Sequence, residues 1–176
     1  VDFNSLGSFI IDQISYYRKT HSIIGKEIPF GRLKHLNNIT IIWRILDVQE
    51  GKALLISDIC IDQMPFDKTC KTNKWADCSL RRWLNREFYK TAFTAKERAM
   101  IIPVVLPEYD DCDNLFKRDT EEDSFYAHKP EFDYLFALSV DEALDYFDDD
   151  DDRTTIYPDG FSGSWWLRTP GCEDFL

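Results

Sequence analysis

The sequence predicts an α+β domain of short strands, short helices and long loops, and three observations lead there. Residues 39–48, "ITIIWRILDV", alternate with the period of two that a pleated strand imposes, and "QEGK" followed by "ALLISDICI" supplies a turn and a returning strand. Residues 79–93, "SLRRWLNREFYKTAF", instead set Leu80, Trp83, Leu84 and Phe88 at i, i+3, i+4 and i+8, the apolar face of a helix. The 176-residue chain is 44% apolar and 15% aromatic, which suffices for one sizeable core and excludes a disordered chain.

Taken in order, residues 4–19 ("NSLGSFIIDQISYYRK") bring Leu6, Phe9, Ile10, Ile14 and Tyr17 onto one helical face behind an Asn4 or Ser5 cap. We read residues 1–20 as an amphipathic linker or docking helix and residues 21–176 as the domain itself. "KEIPFGRL" (26–33) reads as a short extended piece broken by Pro29 and Gly31. In the strand that follows, Ile39, Ile41, Trp43 and Ile45 share a face, and Gly51 in the turn is suited to positive φ. Thr94 and Glu97 have capping-box spacing before a short second helix, and Ser139 and Glu142 repeat it before "VDEALDYF". Pro103 and Pro107 limit "MIIPVVLP" to an edge or a few strand residues. Residues 108–132 read as an acidic loop, "DYLFALS" (133–139) as a strand, and "SWWLRTPG" (164–171) as a core-forming strand with its turn.

A net charge of −11 argues against nucleic acid and anionic membrane, because binding either depends on Lys and Arg displacing counterions. Arg81, Arg82 and Arg86 come nearest to a basic patch, and their helical spacing reads as a solvated face. No apolar run approaches the ~20 residues of a membrane span. The five cysteines are odd in number and lack CxxC spacing, so they read as mostly free thiols, which slightly favours a reducing cytoplasmic compartment. A signal lying upstream would instead place the domain at the cell surface.

The aspartate run Asp148 to Asp152 and "YDDCDN" at 109–114 invite a calcium reading, but adjacent carboxylates rarely converge on one ion and no EF-hand loop is present. Both read as solvated acidic loops, and no metal or cofactor is expected. His21, His35 and His128 stand apart from one another and from cysteines at ligand spacing, and neither a nucleophile elbow nor a phosphate loop occurs. The aromatic pair Trp165 and Trp166, with Arg168, is the remaining candidate site for a ligand. Adjacent side chains of an extended segment point to opposite sides, so two readings stay open. Either both indoles pack in the core, or one is buried while the other stacks on a sugar, peptide or cation beside Arg168 as a bidentate donor.

The ordered set "IPFGR", "ITIIWRILDVQEGKALLIS", "MPFD", "KWADCSLRRWLNREFYKTAFTAKERAMI", "YLFALSVDEALDYF" and "SWWLRTPG" resembles a bacterial domain family of unknown function, common in Firmicutes and their mobile elements. That family is remotely similar to the C-type-lectin-like fold of formylglycine-generating enzymes and of variable proteins from diversity-generating retroelements. The resemblance implies two main helices flanking small twisted antiparallel sheets, with a loop-rich binding face. It also implies a strand-rich continuation after the "WWLR" motif, whereas this chain stops at Leu176, so the domain is expected to be incomplete or shortened at its C-terminus. An unpaired sheet edge would then invite self-association. The copper-binding cysteine pair of the formylglycine-generating enzymes is not matched, since Cys172 has no neighbouring cysteine. The expected function is therefore a non-enzymatic binding module for a protein or glycan through Trp165, Trp166 and Arg168. The alternatives are an enzyme related to the formylglycine-generating group and a structural accessory domain of a larger protein.

Overall fold

The computed structural model describes residues 23–107, 132–149, 154–157 and 160–171. The expected helix at 4–19, all of the expected acidic loop at 108–132 except Phe132, Asp150 to Asp152 and Cys172 lie outside the described residues.

Three antiparallel strands, β1 (Glu27–Leu33), β2 (Ile39–Gln49) and β3 (Lys52–Ser57), form a meander in the order β1-β2-β3. The turn joining β2 to β3 has positive φ at Glu50 and Gly51, the combination a two-residue type I′ hairpin requires. Alternation then divides β2: Ile41, Trp43 and Ile45 are buried on one face. Leu46, on the opposite face, is buried against a second cluster with Leu54 and Ile56, and a bulge between Ile45 and Asp47 sets Asp47 beside it, opposite Leu54.

The edge of β1 is irregular for a reason found at Gly31. Its φ of +76° accommodates a bulge between Pro29 and Arg32, and a Cβ there would stand 2.5 Å from the Phe93 ring. The strand thereby comes close enough for the Gly31 N–H to donate to Glu97 Oε1 at 3.0 Å.

The main helix, α1 (residues 79–92), begins at Ser79–Trp83, passes through one π turn at Leu84–Phe88 and ends at Tyr89–Ala92. The Cys78 thiol accepts from the Arg81 N–H at its start, and the thiol is wholly buried. α2 (Ala95–Arg98) and α3 (Val140–Tyr146) each open with a complete capping box, from Thr94 with Glu97 and from Ser139 with Glu142, as the spacing predicts. α1 packs on one face of the sheet through Phe88, Ala92 and Phe93 against Phe30, Leu33, Ile41 and Trp43. α3 lies with Leu46, Leu138 and Phe147 in a separate cluster that also takes in Leu54 and Ile56 from β3. Each such side chain removed from water contributes roughly 1.5–3 kcal/mol, and together they clamp the sheet between helical layers. A two-stranded ribbon of β4 (Thr155–Ile156) and β5 (Ser162–Gly163) joins the end of the meander where Cys60 N–H donates to Ile156 C=O. Among the described residues the fold is thus mixed α and β, with a small antiparallel sheet and three helices.

Three expectations are corrected. "DYLFALS" is not a strand: beyond a single bridge between Asp133 and Val104 and one bond from Arg168 N–H to Leu138 C=O, its backbone bonds mainly to side chains. Asn85 Oδ1 accepts from the N–H groups of Tyr134 and Leu135 at 2.6 and 3.1 Å, and Asn85 Nδ2 donates to Leu135 C=O at 2.9 Å. Residues 164–167 are likewise extended but unladdered, held instead by the Arg168 N–H to Leu138 C=O at 2.8 Å. Arg81 is not part of a solvated face, although Arg82 and Arg86 are exposed. It is buried, its Nε donating to Asp133 Oδ1 at 2.7 Å, while Trp75 and Asn85 donate to the same carboxylate. A charge at that depth is stable only because its partner and hydrogen bonds accompany it.

Candidate functional site

Among the described strands, β3 lies at one end of the meander and is paired with β2. All six residues of the strand, from both of its faces, line a groove of about 1040 Å³, which locates the groove along the strand's outer edge. Its floor and walls are largely carbon: Leu55 and Ile59 from the sheet side, Trp83 and Leu84 from α1, Phe136 from the segment before α3, and Trp165.

The hydrogen-bond phase of the edge follows from two observations. The Lys52 and Gln49 pair flanks a two-residue turn, and Asp58 N–H donates to Ile42 C=O at 3.0 Å. Both place the even-numbered residues of β3 in bonds to β2, so the N–H and C=O groups of Leu55 and Ser57 point outward into the groove. Among the described residues, neither Leu55 nor Ser57 has a backbone partner on that side. An edge is ordinarily guarded by proline, a bulge or charges. β1 has two of these devices in Pro29 and the Gly31 bulge, whereas β3 reads "KALLIS", with its one charge at the first position.

The two indoles separate as extended backbone requires. Trp165 is half-buried and packs on Phe147 with ring centroids 5.3 Å apart, joining the α3 cluster. Trp166 is 52% exposed, and both indoles line the groove. Its Nε1–H donates to Met64 C=O at 2.8 Å and its ring meets Phe66 edge-on at 5.8 Å, so the exposed face is held in one orientation. Arg168 is buried, with 2% of its surface exposed. Its guanidinium grips both Glu142 oxygens, Nη1 to Oε2 and Nη2 to Oε1 at 2.8 Å, and donates to Ala137 C=O at 3.0 Å. The structure therefore brings Trp165 and Trp166 to one groove and sets Arg168 behind them, where it ties their segment to α3.

Burial alone would raise the Glu142 pKa, yet the Arg168 hydrogen bonds, the Ser139 N–H and the Arg168 charge outweigh it and hold the carboxyl below its usual range. The same carboxylate completes the α3 capping box through Ser139 N–H at 2.9 Å. A local helix-start motif is thus also the anchor for the tryptophan segment. Two features of the site escaped the sequence reading. The groove is formed by residues from many separate stretches, from Phe30 to Trp166, which no spacing reveals, and the anchoring role of Asn85 depends on a π turn that aims it at residues 133–135. The only sequence cue was an apolar "ALLI" strand with no gatekeeper inside it.

Among the described residues no three His, Cys, Asp or Glu side chains gather as metal ligands would, and no helix is long and apolar enough to cross a membrane. Residues 50–175 match a family described as a domain of unknown function, DUF6273. No curated protein and no solved structure gives a significant match. The matched span begins inside the β2–β3 turn, while β1 and β2 are hydrogen-bonded to β3 in the same sheet.

Proposed function

This chain belongs to the DUF6273 family, and we propose that it is a non-enzymatic interaction domain that receives a protein segment in the groove beside β3. The observation that carries the reading is the outward-facing backbone of Leu55 and Ser57 at the base of an apolar groove. An extended peptide satisfies such an edge by adding a strand, with alternate side chains entering the pockets. Trp165 and Trp166 supply the rim, Trp166 offering the more exposed ring face, and Arg168 acts as the residue that positions both.

The wider frame we propose is a C-type-lectin-like domain over residues 21–176, with residues 1–20 as a linker or docking helix. What supports it is the mixed fold, the sheet continuous across the start of the matched span, and long connections around the groove. The bacterial, Firmicutes-rich setting rests on the resemblance of the motifs alone. A glycan is the second reading, favoured by the fixed, exposed face of Trp166, since indole faces stack well on sugar rings. The alternative of an enzyme related to the formylglycine-generating group depends on Cys172, outside the described residues.

Selection from a displayed library of random twelve-residue peptides, followed by calorimetry on the free peptides, tests the reading. It predicts binders rich in β-branched residues whose affinity falls at least about tenfold in Trp166→Ala, the loss of one aromatic hot spot. Peptides that bind wild type and Trp166→Ala equally, or no binders at all alongside a Trp166-dependent hit on a glycan array, would overturn it.

A further inference from the structure

We infer that the N-terminal segment of this chain, residues 4–19, docks in the groove beside β3 and must leave it before a partner segment enters, so the site carries its own inhibitor. The inference rests on reading the groove as an interaction site. Residues 4–19 lie outside the described residues, but Ile23, the first described one, marks where they arrive. It is buried in a cluster with Ile45 and Ala53, and Leu55 packs against the same cluster. Ala53 and Leu55 also line the groove, so the chain enters the fold at the groove's own wall. Only Thr20 to Ser22 separate Ile23 from the segment, a link of at most about 11 Å.

The segment fits what it meets there. Leu6, Phe9, Ile10, Ile14 and Tyr17 fall on one helical face, and the groove is walled by Leu55, Ile59, Trp83, Leu84, Phe136 and Trp165. As a helix the segment measures about 24 Å, against about 20 Å for β3, so one helix covers the whole strand edge. The short link places Arg18 and Lys19 at the hairpin end, where Asp47 and Glu50 outnumber Lys52 along the groove. A helix bonds its own backbone internally and leaves the outward groups of Leu55 and Ser57 to water, whereas an incoming strand pairs with them. Docking within the chain is therefore favoured by proximity yet displaceable. With about a tenth of the molecules open, the apparent affinity for a partner segment falls about tenfold.

Hydrogen exchange of the whole chain read by mass spectrometry, with peptides selected from the displayed library as probes, tests the docking. Residues 5–17 are expected to exchange at least about tenfold more slowly in wild type than in the variant Phe9→Asp with Ile14→Asp, and to lose that protection when a selected peptide saturates the groove. The same variant is expected to bind the peptides about tenfold more tightly. Arg18→Glu and Glu50→Lys each weaken docking and so tighten peptide binding by about threefold, while the two together exchange the charges and restore wild-type affinity. Unchanged exchange across α1 confirms that each variant is folded. Residues 5–17 equally unprotected in wild type and variant, protection that saturating peptide leaves intact, or a charge exchange no closer to wild type than either single change would overturn the inference. Peptides that need Trp166 but bind wild type and the Phe9→Asp, Ile14→Asp variant equally would remove the segment as occupant while leaving the groove's role standing. Protection of residues 5–17 that falls in Trp166→Ala, with no peptide selected, would do the reverse.

Discussion

Replacing Arg168 by alanine tests how the tryptophan segment is held. Arg168 retains 2% of its surface, and it satisfies both Glu142 oxygens and the Ala137 carbonyl. Removing one partner of a buried ion pair costs about 3–5 kcal/mol, because the other charge is stranded. The Glu142 side chain keeps 30% exposure and rehydrates in part, so the lower end applies, about 3 kcal/mol. At 1.4 kcal/mol per factor of ten, the folded-to-unfolded ratio falls by roughly a hundredfold. Urea unfolding followed by far-UV circular dichroism would register this as a midpoint about 1.5 M lower, for a slope near 2 kcal/mol per molar. Arg168→Lys keeps the charge but loses the two-pronged grip, so it should recover only part of the loss. Unfolding of Arg168→Ala within about 0.5 kcal/mol of wild type, or full rescue by lysine, would refute the anchoring argument.

Gly31→Ala combines positive φ with a clash against Phe93 and should cost about 3 kcal/mol, whereas Gly25→Ala, at φ +79° with nothing within 4 Å, should cost about 1 kcal/mol; thermal melts of the pair isolate the packing contribution. Asn85→Ala removes five side-chain hydrogen bonds that satisfy residues 81, 133, 134 and 135, and should destabilise by about 3 kcal/mol in the same urea assay. Trp165→Ala should destabilise by about 2 kcal/mol and Trp166→Ala by less than about 1 kcal/mol, since only the first packs in the α3 cluster. Acid should unfold the domain through carboxylates whose folded pKa values are depressed. The Thr69 hydroxyl and the Lys71 N–H hold Asp67 at about 2, and Glu97 and Glu142 also lie low, because their hydrogen bonds outweigh burial. Their contribution is complete above the unfolded values near 4 and is lost as pH falls through the folded ones, so urea midpoints should be flat from pH 7 to 5 and drop from pH 4 toward 2. Glu142→Gln should flatten part of that drop.

Local chemistry was legible in the sequence where one segment carries its own signal. The two capping boxes, the Gly51 turn, the β2 alternation and the apolar face of α1 all stand where spacing puts them. Legibility failed where backbone groups bond to distant side chains. Asn85 and Arg168 take over hydrogen bonds that a ladder would have made, and so "DYLFALS" and "SWWLR" carry strand-like composition without being strands. Arg81 read as solvated because its partner Asp133 lies 52 positions away. For the candidate site, the tryptophan pair could be named from sequence, but which indole turns outward is decided by Phe147 on one side and Met64 with Phe66 on the other.

The central claim is that the outer edge of β3 is open to a partner strand, and amide hydrogen exchange of the dilute protein tests it residue by residue. The account predicts slow exchange at Leu54 and Ile56, whose N–H groups bond to β2, and fast exchange at Leu55 and Ser57, with protection of the latter pair rising when a selected peptide is added. Strong protection of Leu55 and Ser57 in the free protein, unchanged by peptide, would mean that these two positions are already paired within the chain, and would contradict it.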